Sequence, residues 1–337
     1  MLRFQQLAIL IALTFSTSCQ APTDDRKKPE TIGDKEGWTH AAAAIRSSSQ
    51  YGGLELQPQD GLVPLGVDPH SQLHEFLHLG THEGEIPQRD EKGQLSVSGK
   101  TGIIFVLIPK GRFWMGSQSS TPNGQNYDPY ALPQDTVKEI AIEAPFFLSK
   151  YEMTRGQWQR SPADVKMPSK QGPGVDRTEP QFQDPADLTQ PVGHVTWQTC
   201  ATTVARMGLR LPTEEEWEYA ARAGTSTPWV GNTSTVEGIA RWGNIADGDH
   251  KGFPSNSGTL ADGYAGQAPV GQFQANGFGL YDVLGNAWEW TSTPQLNRGG
   301  SFLGAAHFAR VAYSGGRAAD HRGIGLGLRP ARRVHTD

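Results

Sequence analysis

The chain has 337 residues, 36% hydrophobic and 19% charged, with a net charge of −5 and only two cysteines, Cys19 and Cys200. That length suits one large domain or two small ones. No basic stripe runs along the chain, which excludes nucleic acid as a partner, and two cysteines exclude both a disulfide framework and a four-cysteine zinc site. The 40 glycines and 23 prolines call for short elements joined by many turns, and the nine tryptophans for core anchors or an aromatic-lined groove.

The N-terminus begins with Met1-Leu-Arg3, continues with an apolar run from Leu7 to Phe15, and reaches Cys19 through Ser16-Thr-Ser18. This is a secretory signal, too short to span a membrane, which needs ~20 apolar residues. Small residues before Cys19 match a bacterial lipoprotein signal, although Ser16 stands where Leu is usual. Lipidated Cys19 and plain secretion both stay open, and either places the protein outside the cytoplasm, anchored to a bacterial membrane or released. Residues 20–50 open with a polar stretch without apolar periodicity and read as a flexible tether.

Residues 51–100 hold short apolar pieces such as Gly61-Leu-Val-Pro-Leu-Gly66, too slight for a core of their own, and read as an extension that packs on a main domain at 101–333. Within them, His74-Glu75-Phe-Leu-His78 is a literal H-E-x-x-H. On a helix both histidines would share a face and bind zinc, with Glu75 as base and His82 as a possible third ligand. Pro69 and Gly80 leave barely three turns, so the plainer reading is an exposed short helix or turn.

Thr101 to Pro109 is a buried-strand signal, and Phe113-Trp-Met continues into a second strand. Residues 117–135 are polar and form a loop; Val137 to Ile142 alternates as a half-buried strand does. A helix is predicted from about Gln198 to Met207, ended by Gly208, with Cys200 facing the core as a small hydrophobe. A second starts at Thr213, with Glu216 completing a capping box, Trp217, Ala220 and Ala221 facing inward, and Gly224 closing it. Short strands and long loops follow. The tail Gly323-Ile-Gly-Leu-Gly327 precedes no helix and is no dinucleotide fingerprint, and nothing marks a nucleophile elbow.

Five motifs occur in order: Phe113-Trp-Met-Gly116; Arg210-Leu-Pro-Thr-Glu214 with Glu216-Trp-Glu-Tyr-Ala-Ala-Arg222; Asn276-Gly-Phe-Gly-Leu-Tyr-Asp282; Gly285-Asn-Ala-Trp-Glu-Trp290; and Arg298-Gly-Gly-Ser301. The series resembles the formylglycine-generating enzyme (sulfatase-modifying factor) family over residues 101–333. The resemblance implies a mixed α/β domain with little regular secondary structure, similar to C-type lectin-like domains. It also implies two structural calcium ions, one held by Asn244 and Asp262 with backbone oxygens of Ile245 and Tyr264, the other by Asp282 and Glu289 with those of Gly285 and Ala287. Such oxygen sets suit calcium; the same acids could simply cap turns.

Catalysis in the family needs two cysteines that hold Cu(I). Their positions fall here at Gly304 and Ala309, so copper is not expected, and neither is the oxidation of a substrate cysteine. Only Ser292 to Asn297 separate Glu289-Trp-Thr291 from Arg298, which shortens one wall of the groove in which the family binds peptide. Groove candidates are Trp288, Ser301 and His307, with one ring of Trp288 and Trp290 in the core and the other near the groove, or both in the core. Arg310, Arg317, Arg322 and Arg329 either pair with carboxylates such as Asp320 and Glu289 or meet an anionic ligand. The reading that follows is a calcium-stabilised extracytoplasmic binding module for protein or carbohydrate. The alternatives are an oxidoreductase with a histidine metal site at His307 and His321, and the zinc hydrolase.

Overall fold

The computed structural model of the protein describes residues 34–132, 135–164, 187–245, 262–264 and 266–335. The signal segment, Cys19 and the first part of the tether lie outside the described residues, as do some of the loop residues around the first calcium set.

Among the described residues are four helices, α1 (Asp34–Ser47), α2 (Arg155–Arg160), α3 (Trp197–Arg206) and α4 (Glu214–Arg222), and eleven short strands. Five strands form an antiparallel sheet in the order β1 (Leu62–Val67), β2 (His74–His78), β3 (Ile104–Ile108), β6 (Phe146–Ser149), β11 (Ala331–Arg333). A second sheet runs β10 (Leu326–Leu328), β7 (Trp288–Trp290), β8 (Leu296–Arg298), β9 (Gly315–Gly316), with β10 parallel to β7. The strands β4 (Gly111–Met115) and β5 (Lys138–Ile142) make a separate antiparallel pair. The fold is mixed α/β with little regular structure, as expected.

β3, a central strand, is buried along its whole length because apolar side chains cover both faces, Ile104 packing with Leu77 and Tyr151 and the residues from Phe105 to Ile108 with the main core, which explains its unbroken Ile-Phe-Val-Leu-Ile run. Phe76 meets Phe147 edge-on at 5.2 Å, and Phe147 meets Phe105 at 6.2 Å. α4 begins with the expected capping box between Thr213 and Glu216. Its end differs from expectation: Ala223, one residue before Gly224, takes the left-handed position with φ +45°.

Two expectations fail. The tether does not run through residue 50, because α1 begins at Asp34 and buries Trp38, Ala41 and Ile45, one helical stripe. Trp38 stacks on Phe76 at 5.3 Å, so this helix is part of the core. His74-Glu-Phe-Leu-His78 is not a helix or an exposed turn; it is β2, buried throughout. In an extended strand, residues four apart lie ~13 Å from each other, too far to share one zinc ion. Glu75 faces Val106 in the β2–β3 ladder, and the 51–100 segment is thereby woven into the sheet as two of its five strands.

Candidate functional site

The motifs resolve first into scaffold. Arg210 makes a bidentate pair with Glu216, 2.6 Å on each arm. Glu218, fully buried, accepts Gly116 N–H at 2.7 Å and Arg222 Nε at 2.9 Å, and Arg298 reaches it at 3.1 Å while also holding Glu214 at 3.0 Å. Asn276 donates to the carbonyls of Ala220 and Ala221 and accepts from Phe278 and Leu280 N–H. These contacts tie α4 to β4, to the loop before Asp282 and to the turn after β8.

That turn, Gly299-Gly300, delivers Ser301 to a cavity of about 340 Å³ lined in part by Trp288, Ser301, Gly304, Phe308, Tyr313 and His321. Gly300 has no substitute there: φ is +82°, and a Cβ would lie 2.7 Å from the Ala309 methyl. Of the paired tryptophans, Trp290 is fully buried and donates its Nε1 to Val195 O at 3.1 Å, whereas Trp288 is half-buried on the cavity wall. Gly304 sits on the wall, where an added Cβ would meet nothing closer than Ser301 O at 3.5 Å; Ala309 is buried beneath. Neither position carries sulfur. Cys200 is fully buried on α3 and does not line the cavity, and burial pushes its thiol well up.

Of the groove candidates, the structure brings Trp288 and Ser301 to the cavity but not His307, whose ring packs against Phe308 at 3.9 Å. His321 lines the cavity without it, and among the described residues no three His, Cys, Asp or Glu side chains group to hold a metal. The four arginines divide. Arg329 is paired with Glu289, and Arg310 with Asp128. Arg317 and Arg322 make no ion pair among the described residues, and Arg317 lines the cavity as its exposed cation.

The residues proposed for calcium fit it unevenly. Asn244 is fully buried; its Nδ2 donates to Gly266 O at 2.7 Å, but its Oδ1 has no partner, an orphaned acceptor that a hard cation would satisfy. Asp262 caps its own turn, accepting Ile245 N–H at 2.8 Å and Tyr264 N–H at 2.9 Å. In the second set, Asp282 accepts Gly271 N–H through Oδ2 and leaves Oδ1 buried and unpartnered. Burial pushes the Asp282 carboxyl up to about 6. Glu289 fits poorly: Arg329 takes both its oxygens and Trp217 Nε1 donates at 2.6 Å, so it has nothing left for a metal in this arrangement.

Sequence reasoning missed Glu152. It is buried beside this set and accepts Ala287 N–H and Asn286 Nδ2, both at 2.7 Å. Burial, with Asp282 and Glu289 nearby, raises its carboxyl well above the usual range. The available signal was an acid placed between Tyr151 and Met153, just after the apolar run Phe146-Phe-Leu148.

A five-stranded antiparallel sheet and a smaller four-stranded sheet, joined by long loops and few helices, with a turn-built cavity beside β7, define a loop-dominated α/β fold. Residues 94–334 match the family model described as sulfatase-modifying factor enzyme 1-like domain. The inactive C-alpha-formylglycine-generating enzyme 2 of Mus musculus is 35% identical over 274 residues, covering 67% of this chain and 85% of the relative. The formylglycine-generating enzyme of Bos taurus is 30% identical over 254 residues, 64% of this chain; the chain spans 63% of that enzyme's length. The structure of PvdO from Pseudomonas aeruginosa shares the fold, with a TM-score of 0.54 at 24% identity over 69% of this chain and 95% of that one. The chain belongs to the sulfatase-modifying factor, or formylglycine-generating enzyme, family.

Proposed function

We propose that this protein is a non-catalytic member of its family, an extracytoplasmic module that binds an extended segment of a protein in the cavity beside β7, with calcium bracing the loops. The observation that carries the reading is that the cavity has an aromatic wall and a Gly-Gly-Ser turn, while Gly304 and Ala309 stand where the family resemblance places its two cysteines. Without a thiolate there is no soft ligand for Cu(I) and no sulfur to form a mixed disulfide with a substrate cysteine. The family relative named inactive supports the same direction.

Several features favour a polypeptide. Glycines at 304, 315, 323 and 325 leave backbone at the cavity surface, and Trp288, Phe308 and Tyr313 offer apolar contact. Arg317 gives one cation for an acidic side chain. The apolar run before Cys19 supports export, with the lipid anchor as the finer proposal. No helix among the described residues is long and apolar enough to cross a membrane.

The test has two arms. Incubation of the full-length protein with a cysteine-containing sulfatase peptide, copper and oxygen, read by mass spectrometry, is expected to leave the cysteine unchanged; oxygen-dependent formylglycine would overturn the non-catalytic reading. A peptide library selected on the protein is expected to yield binders that Trp288→Ala weakens by about tenfold or more, as for an aromatic anchor. Binders indifferent to Trp288, or glycans that bind there where peptides do not, would overturn the choice of ligand.

A further inference from the structure

Away from that groove, the seam between the N-terminal strands and the family domain encloses a second cavity of about 200 Å³. Its wall contains Asp68 and Arg89 from the N-terminal segment, Lys150 and Tyr151 from the end of β6, and Tyr281 from the Asn276–Asp282 motif. Lys150, nearly fully buried, pairs with Glu75 and lies 3.5 Å from Asp68. Arg89 holds Glu75 at 2.8 Å and lies 3.9 Å from Asp68. Two carboxylates and two cations thus close on one another with no net charge. Such a quartet, buried except at Arg89, is a poor fastener, because an apolar set of the same volume is often at least as stable. Its presence at a cavity wall therefore calls for another role.

The polar groups left over indicate what that role is. The hydroxyls of Tyr151 and Tyr281 make no hydrogen bond among the described residues, and neither does the side-chain amide of Gln94, which also lines the cavity. Burial, reinforced by Tyr281 and Glu75, keeps the Tyr151 hydroxyl protonated and so a donor as well as an acceptor. The two tyrosine rings lie 5.2 Å apart, Lys150 sits over the Tyr281 face at 5.3 Å, and Val270 and Leu95 add apolar surface. Gly271 permits this closeness: a Cβ there would fall 2.8 Å from the Tyr151 ring.

The geometry points to a second binding site, for a single uncharged sugar ring held by the hydroxyls of Tyr151 and Tyr281, the amide of Gln94 and the Asp68, Lys150 and Arg89 members of the quartet, with Glu75 buried behind them. An uncharged ligand follows from the charge balance, since an ion would leave one buried charge unmatched. A polyol follows from partners that both donate and accept beside aromatic faces. A single ring follows from the volume, which is below the range of ~300 Å³ and more that larger ligands occupy. The site is independent of the groove at Trp288.

Saturation-transfer NMR and calorimetry on the full-length protein test this with D-glucose, D-galactose, D-mannose and N-acetyl-D-glucosamine. At least one is expected to bind saturably, and Tyr281→Phe and Gln94→Ala are each expected to weaken it roughly three- to tenfold, the loss of one hydrogen bond. Tyr281→Phe keeps the ring, and Gln94 lies on an exposed turn, so thermal unfolding of both should match the parent. No saturable binding of any of the four sugars up to about 10 mM would overturn the inference, as would binding that both variants leave intact. Sugar binding that Trp288→Ala removes would also overturn it, by placing the sugar in the groove.

Discussion

His78 offers the sharpest test of how β2 is built. Its side chain is 5% exposed, with Nδ1 3.0 Å from Thr81 Oγ1 and the ring edge-on to Phe105. Burial, assisted by the positive charge of Arg332, lowers its pKa from 6.5 to about 4. The folded state therefore holds a neutral imidazole while the unfolded chain protonates first as pH falls. The contribution to stability is fully present above pH ~6.5, declines as pH drops, and is wholly lost below about pH 4. A displacement of this size corresponds to about 3 kcal/mol at order of magnitude. Urea unfolding of the parent and of His78→Gln, from pH 7 to about pH 4, reads it directly. The variant carries a fixed cost of about 1–2 kcal/mol for lost packing, so at pH 7 it should be the weaker protein. The gap should close, then reverse, on acidification. His74, whose pKa burial also lowers, and Asp68, whose carboxyl Lys150 and Ser71 hold down against burial, tilt both proteins alike and cancel in the difference. A stability difference that stays constant across the range would refute the account of His78 as a buried neutral group.

Two further perturbations address the second sheet and its loops. Arg329→Met should cost about 3–5 kcal/mol in chemical denaturation, because Glu289 would keep its buried charge with only Trp217 as donor. Adding Glu289→Gln should recover part of that loss, and a cost under about 1 kcal/mol would show that the pair does not hold β7 in place. Removing calcium with a chelator should lower the melting temperature; at a hundredfold excess over Kd the bound ion is worth about 2.7 kcal/mol, and Asn244→Ala should remove part of the response. A melting curve indifferent to calcium would dispose of the proposed ion.

The sequence made some elements legible and hid others for physical reasons. β3, β4 and β5 were readable because two had unbroken or alternating apolar residues and one continued an aromatic run; α4 was readable from its capping box and α3 from the Gly208 that ends it, while its true N-cap, Thr196, went unread. α1 was hidden because its stripe of Trp38, Ala41 and Ile45 is short and sits among Lys, Glu and His, so a polar average outweighed the period. β2 was hidden by its own resemblance to a metal motif: His74, Phe76 and His78 alternate with Glu75 and Leu77, the period of a strand, yet the four-residue spacing drew attention to a helix. The seam cavity could not be read at all, since its walls are assembled from residues 68 to 281 and only the sheet brings them together.

The motif series that identifies the family is, in this chain, mostly a description of folding. Arg298 serves Glu214 and Glu218; Asn276 serves the end of α4; Glu289 serves Arg329 and Trp217. Each is a buried polar contact whose loss would leave a charge or an amide unpaired, so these positions resist change whatever the protein does. The two positions that the resemblance matches to the family's cysteines are different in kind. Gly304 stands on an open wall with no close neighbour to its missing side chain, and Ala309 fills a small space behind Gly300. No contact around either place requires sulfur, so the architecture does not depend on a thiol there. The family signature here therefore reports the scaffold, while function is a property of the sites that the scaffold carries.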